Sequence, residues 1–229
     1  MFIGHFAVGL AAKRAAPRAS LGTYFLAAQF LDLLWPTFLL LGIESVRIAP
    51  GITAVTPLDF TSYPYSHGLV SVLGWSVLFA LAYLALRRDG RTALVLGLCV
   101  ASHWVLDWIT HRPDLPLGFG ASRRVGLELW ASRPATLAVE LVMFAAGCVL
   151  YAGATHARDR TGKLAFAGLV AFLLVAYFAA LFGPPPPSAE SLGWGGQSVW
   201  LLVAWGWWVD RHRAPSVPVP AAADGSGIG

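Results

Sequence analysis

Charge is scarce in this chain: Asp, Glu, Lys and Arg make up 12% of its 229 residues, about half of the roughly 25% usual in soluble domains. So few charges cannot cover a water-facing surface, which excludes an ordinary soluble globular domain. Cysteine is nearly absent. Cys99 and Cys148 stand alone in apolar stretches, which excludes a disulfide framework and a cysteine zinc cluster. A basic stripe is missing too: the Lys and Arg residues are dispersed at the ends of apolar stretches, so nucleic acid is excluded as a partner. There is no internal repeat, the usual mark of solenoids and of inverted-repeat transporters.

What fills the chain is apolar, 57% by composition. Five windows of about 18 or more mostly apolar residues, 21–42, 67–86, 92–111, 135–155 and 164–183, have the length that crosses a bilayer. A sixth, 192–209, is shorter and carries Trp194, Trp200, Trp205, Trp207 and Trp208 in or beside it, the aromatic enrichment of membrane interfaces. The expected fold is therefore all-α: a polytopic membrane bundle of six transmembrane helices plus a short N-terminal helix. Residues 1–12 are apolar but too short to span, which leaves a half-span, an interfacial helix or the start of a bent hairpin. Lys13 and Arg14 follow that stretch instead of preceding it, the reverse of a signal peptide. One domain, 1–213, precedes a Pro- and Gly-rich tail, 214–229, expected to be disordered. The four prolines at 184–187 end the fifth span.

Basic residues at span ends report orientation. Eleven fall on the side that holds both termini and five on the other, so both termini are expected to be cytoplasmic. The loops 43–66 and 112–134 then lie outside, with Ser66 a candidate cap for the helix that begins at His67.

Ionisable groups inside spans cost about 2.5–3.5 kcal/mol each on insertion scales and usually face protein or water. Here they are Asp32, His103, Asp107 and Glu140, with His5, His67 and His111 near segment ends. Four residues advance a helix by about 400°, so His103, Asp107 and His111 share one face with Thr110. An ion pair one turn apart that offsets its own burial is the structural alternative. A metal site is the functional one, because imidazole nitrogen and carboxylate oxygen are zinc ligands. Height along the bundle supports convergence: Asp32 and His103 each lie 11 residues, about 16 Å, above the cytoplasmic boundary. His5 approaches that layer and Glu140 lies near the level of Asp107, while His67 matches His111 and is expected at the mouth. Pro36, four residues after Asp32, predicts a kink beside the aspartate.

The stretches GHFAVG (4–9), FLDLLWP (30–36), YSHGLVSVL (65–73) and SHWVLDWITH (102–111) resemble the bacterial inner-membrane family of membrane-bound metal-dependent hydrolases, also described as LexA-binding. That family shows Pro-Asp and His-Ser where this chain has Leu31-Asp32 and Ser66-His67. The order Asp32, His67, His103, Asp107 is also similar to the ligand order of zinc-dependent phospholipases C. The resemblance implies that these four residues bind a divalent metal, zinc first among candidates, with His5 and His111 as ligands of a second ion and Asp107 a possible bridge. It implies a hydrolase in the inner membrane that acts on a lipid-like ester or phosphoester held in the bilayer. Glu140 is the candidate general base and Arg112, with Arg123 or Arg124, the candidate phosphate-binding group. A transporter that uses the same groups to couple ions or protons is the alternative from another class.

Overall fold

The computed structural model describes residues 1–216, so the tail from 217 onward lies outside the described residues. The described chain is mostly helical. Its helices are α1 (Ile3–Ala15), α2 (Leu21–Ala28), α3 (Phe30–Leu40), α4 (Pro64–His67), α5 (Leu69–Arg87), α6 (Gly90–Thr110), α7 (Arg133–Ala154), α8 (Arg160–Phe182), α9 (Ala189–Gly196) and α10 (Val199–Arg211). Three antiparallel two-stranded ladders join β1 (Ser45–Ile48) to β2 (Leu58–Ser62), β3 (Leu115–Pro116) to β4 (Arg124–Val125), and β5 (Thr155–Ala157) to β6 (Arg213–Pro215). The chain is thus mostly helical, as expected, with these short ladders in its connections. Ala214 and Pro215 pair with β5.

Helices start where short polar side chains satisfy free N–H groups. Ser20, Asp89, Ser132 and Asp159 each accept from a backbone N–H three residues on, the usual N-cap arrangement. Ser66 does not act this way. It sits inside α4, and Gly68, extended at ψ 135°, separates that single turn from α5.

Helix α1 is buried on nearly every side, from Ile3 and His5 through Leu10 to Lys13, as expected of a helix at the centre of a bundle. This rules out the interfacial alternative. It crosses α7 so closely that a Cβ on Gly147 would lie 2.7 Å from the Ala7 carbonyl oxygen, the small-residue contact common between apolar helices. One core gathers Phe6, Leu10, Phe25, Phe144, Leu169 and Val203. A second lies around Tyr24, Leu31, Leu96 and Val100.

Four helices, α5, α6, α7 and α8, are long and apolar enough to cross a membrane, and the count becomes five if α2 and α3 are one broken span. Their outward faces carry exposed Leu73, Val77, Leu81, Val149, Phe172 and Val175. Apolar faces of this kind are compatible with membrane insertion. The sixth window does not form one span: it breaks at Gln197 and Ser198 between α9 and α10. The glycines at 193, 195 and 196 weaken the helix there.

The first window also breaks, by 56° between α2 and α3. The bend falls at Gln29 and not beside Pro36, which α3 accommodates within its length. In an unbroken helix the Ala28 carbonyl would accept from the Asp32 N–H. Here it accepts from a histidine ring on α6.

Candidate metal centre

Four elements bring imidazoles and carboxylates together: α1 supplies His5, α3 Asp32, α4 His67, and α6 both His103 and Asp107. His103 is wholly buried. Its Nδ1 lies 2.7 Å from the Ala28 carbonyl oxygen, which can only accept, so Nδ1 carries a proton and in the neutral ring Nε2 holds the lone pair. That Nε2 has no hydrogen-bond partner, although Asp107 Oδ2 is 3.2 Å away and Asp32 Oδ2 3.7 Å.

His67 is set in the same tautomer by a relay. Glu44 accepts at Oε1 from the Tyr65 and Ser66 N–H groups, each at 2.8 Å, and at Oε2 from the Ser66 hydroxyl at 2.6 Å. Having given its proton to Glu44, Ser66 Oγ accepts from His67 Nδ1 at 2.8 Å. His67 Nε2 is left 3.6 Å from Asp32 Oδ1 and 3.6 Å from Asp107 Oδ2. Carbonyl and carboxylate partners that orient a ring through its far nitrogen are the usual support of a metal-ligating histidine.

These separations have a meaning of their own. Bonds of about 2.0–2.2 Å to zinc put tetrahedral neighbours about 3.4 Å apart. The nitrogen-to-oxygen distances, 3.1 Å for His5 to Asp107 and 3.2–3.7 Å for the others, surround that value. Two groups, His5–His103–Asp107 and Asp32–His67–His103, have ligand atoms close enough to hold a metal ion. Both use His103, whose Nδ1 is engaged, so its one free nitrogen serves either group but not two ions. His5 stacks flat on His103 at 3.6 Å between centroids. The Met1 amino group also reaches Asp107, donating to Oδ1 at 2.6 Å.

Above the cluster is a cavity of about 310 Å³. Asp32, His67, Asp107, His111 and Glu140 border it, and its walls are mostly apolar, with Trp35, Phe60, Trp130, Tyr177 and Leu181. The β1–β2 hairpin, α4 and the 112–134 loop cover this end through a small core of Trp35, Val46, Phe60, Tyr63 and Leu115.

The other sequence candidates lie differently. His67 is not at the mouth but inside the cluster, because Gly68 detaches its turn from α5. His111 stands outside both ligand groups, with Nδ1 3.0 Å from Asp114 Oδ1. Burial holds His111 below the ordinary imidazole value. Burial alone would raise Asp114, but hydrogen bonds from His111, Arg112 and Tyr63 outweigh it and hold that carboxyl below its ordinary value. Glu140 Oε2 accepts the N–H groups of Phe2 and Gly4 at 2.8 and 3.2 Å, so it caps the start of α1. Arg112 is held between Asp114 Oδ2, at 2.9 Å, and Asp59, which takes its guanidinium away from a phosphate-binding role. Arg124 donates to the Phe60 and Thr61 carbonyls.

Four supporting residues take roles that no motif in the sequence marks: Glu44, Ser66 as a relay, Tyr63 and Asp114. Glu44 had one signal, as an acid in a loop with little charge. Asp114 had another, three residues beyond His111. Comparison with protein-family models, with curated proteins and with solved structures finds no match to this chain.

Proposed function

We propose that the chain is a membrane-embedded, metal-dependent hydrolase that acts on a lipid-like ester or phosphoester. The observation that carries this is the convergence of His67 Nε2 and His103 Nε2 with the Asp32 and Asp107 carboxylates beside an apolar cavity. Neutral imidazoles would turn lone pairs toward these anions, an arrangement that a cation among them stabilises, and nitrogen with oxygen donors suits zinc or a similar divalent ion. One ion is the number that His103 allows. When bound, such an ion supplies Lewis acidity toward a carbonyl or phosphoryl oxygen and acidifies a water.

The protein's own groups do the rest. Trp35, Phe60, Tyr177 and Leu181 hold an acyl or alkyl portion and exclude bulk water from the cavity. His111, turned by Asp114, presents Nε2 as a proton acceptor at the cavity wall. Glu140 keeps α1 in place, and with it His5. This description agrees with the family resemblance of the first half of the chain, and with a helical bundle set in a bacterial inner membrane with its termini toward the cytoplasm.

The test is turnover of ester and phosphoester lipids in vesicles by the purified protein, with chelator-stripped protein and Asp107→Asn as comparisons. Hydrolysis that chelation and the variant both abolish is expected. Absence of turnover, with divalent-ion uptake into the same vesicles, would mark the transporter alternative.

A further inference from the structure

At the end of the bundle opposite the metal centre lies a second and larger hollow, of about 750 Å³. It forms where the α1–α2 turn, the end of α5, the β5 turn and the end of α10 meet. Six cations border it, Lys13, Arg18, Arg87, Arg158, Arg211 and Arg213, against a single carboxylate, Asp210.

That carboxylate does not balance them. Asp210 Oδ2 accepts from Lys13 at 2.5 Å and from the Leu21 N–H at 2.9 Å, and Oδ1 accepts from the Tyr151 hydroxyl at 2.5 Å. Lys13 and Asp210 thus neutralise each other in a buried knot that ties α1, α2, α7 and α10 together. Arg18 is 3.6 Å from Asp89. Arg213 is buried, but its hydrogen bonds go to Thr155 and the Gly162 carbonyl, and its plane lies over Tyr151 and Phe166. These partners are uncharged, so its positive charge stays uncompensated. The side chains of Arg87, Arg158 and Arg211 are exposed and form no hydrogen bond or ion pair with the described residues. Four guanidinium groups from three chain segments therefore put an unbalanced positive field into one concave space, where walls of low dielectric concentrate it. Basic residues that only set topology have no need to converge on a hollow or to be buried there.

We propose that this hollow binds a phosphate-bearing anion, either the headgroup of an acidic phospholipid or free phosphate. Guanidinium forks match phosphate oxygens in pairs. Ser20 and Thr23 at its edge share one hydrogen bond between their hydroxyls, which leaves one hydroxyl proton to donate, and Trp207 gives the wall an aromatic surface.

The test is native mass spectrometry of the detergent-solubilised full chain, titrated separately with phosphatidylglycerol, phosphatidylcholine and inorganic phosphate. Wild type is expected to retain phosphatidylglycerol over phosphatidylcholine. If inorganic phosphate neither binds nor competes, the headgroup is the ligand; if it binds, free phosphate is. Each arginine removed is expected to weaken binding about fivefold, and Arg158→Gln with Arg211→Gln together about thirtyfold. Arg87→Gln, on a different helix, is the independent second variant. Arg133→Gln, at the start of α7 and the far end of the bundle, is expected to change nothing. Equal retention of both lipids with no phosphate binding, full binding by the double variant, or equal loss in Arg133→Gln would each overturn the proposal.

Discussion

Replacing Glu44 by Gln alters one atom of a side chain that touches no candidate ligand atom, yet it is expected to weaken metal binding. The Tyr65 and Ser66 N–H groups both point at Oε1. A glutamine must turn its carbonyl toward them, because an amide facing two donors would be repelled. Its NH₂ then faces Ser66 Oγ and donates where Glu44 accepted. The hydroxyl, now receiving a proton on that side, gives its own to His67 Nδ1. His67 is driven to the Nε2–H tautomer and loses the lone pair that faces Asp32 and Asp107. Outer support of this kind contributes about 10–100-fold in metal affinity, or about 1.4–2.7 kcal/mol. Chelator-stripped protein titrated with zinc against a competing indicator reads this directly, with circular dichroism to show that the helices persist. Ser66→Ala, which removes the relay, is expected to weaken binding as well. An affinity for Glu44→Gln within twofold of wild type would refute the tautomer argument.

Other expectations follow from the packing. Glu140→Leu leaves the Phe2 and Gly4 N–H groups without an acceptor and is expected to lower thermal stability by about 1–3 kcal/mol, whereas Glu140→Gln, which keeps a carbonyl, costs much less. A purely catalytic role would instead leave the melting temperature of both unchanged. Gly147→Val forces α1 off α7 at Ala7 and is expected to destabilise by about 1–3 kcal/mol and to reduce metal content through His5, seen by denaturation and elemental analysis. Asp114 has a folded value below its unfolded one. Its contribution is therefore complete above the ordinary carboxylate value and is lost as pH falls through the lower folded value. Melting curves below about pH 4 are expected to fall more steeply for wild type than for Asp114→Asn; parallel curves would contradict this.

How much of this was legible in the sequence depended on the range of the interaction. Helical period and rise alone place His103 and Asp107 on one face and Asp32 at the same height, and the structure brings all three within contact distance. Helical rise does not place His67, because Gly68 separates its turn from α5. The sixth window is alike: its tryptophans and apolar residues give no sign of the break at Gln197 and Ser198, which follows three glycines within α9. Pro36 drew attention from Gln29, where the bend occurs and where its consequence, a free Ala28 carbonyl, could be known only from the packing of α6. Glu44 and Ser66 are 22 residues apart, joined by a hairpin whose register is tertiary. The partners of Arg112, on a strand and a loop, were hidden in the same way.

The proposed centre joins nitrogen and oxygen side chains around one divalent ion, and X-ray absorption at the metal edge of the purified protein reads it out. Close to one ion per chain is expected, coordinated by nitrogen and oxygen at about 2.0–2.2 Å, with imidazole scattering and without sulfur, and lost in His103→Ala with Asp107→Ala. Protein purified without chelator that carries no ion, or an ion bound through sulfur, would contradict it.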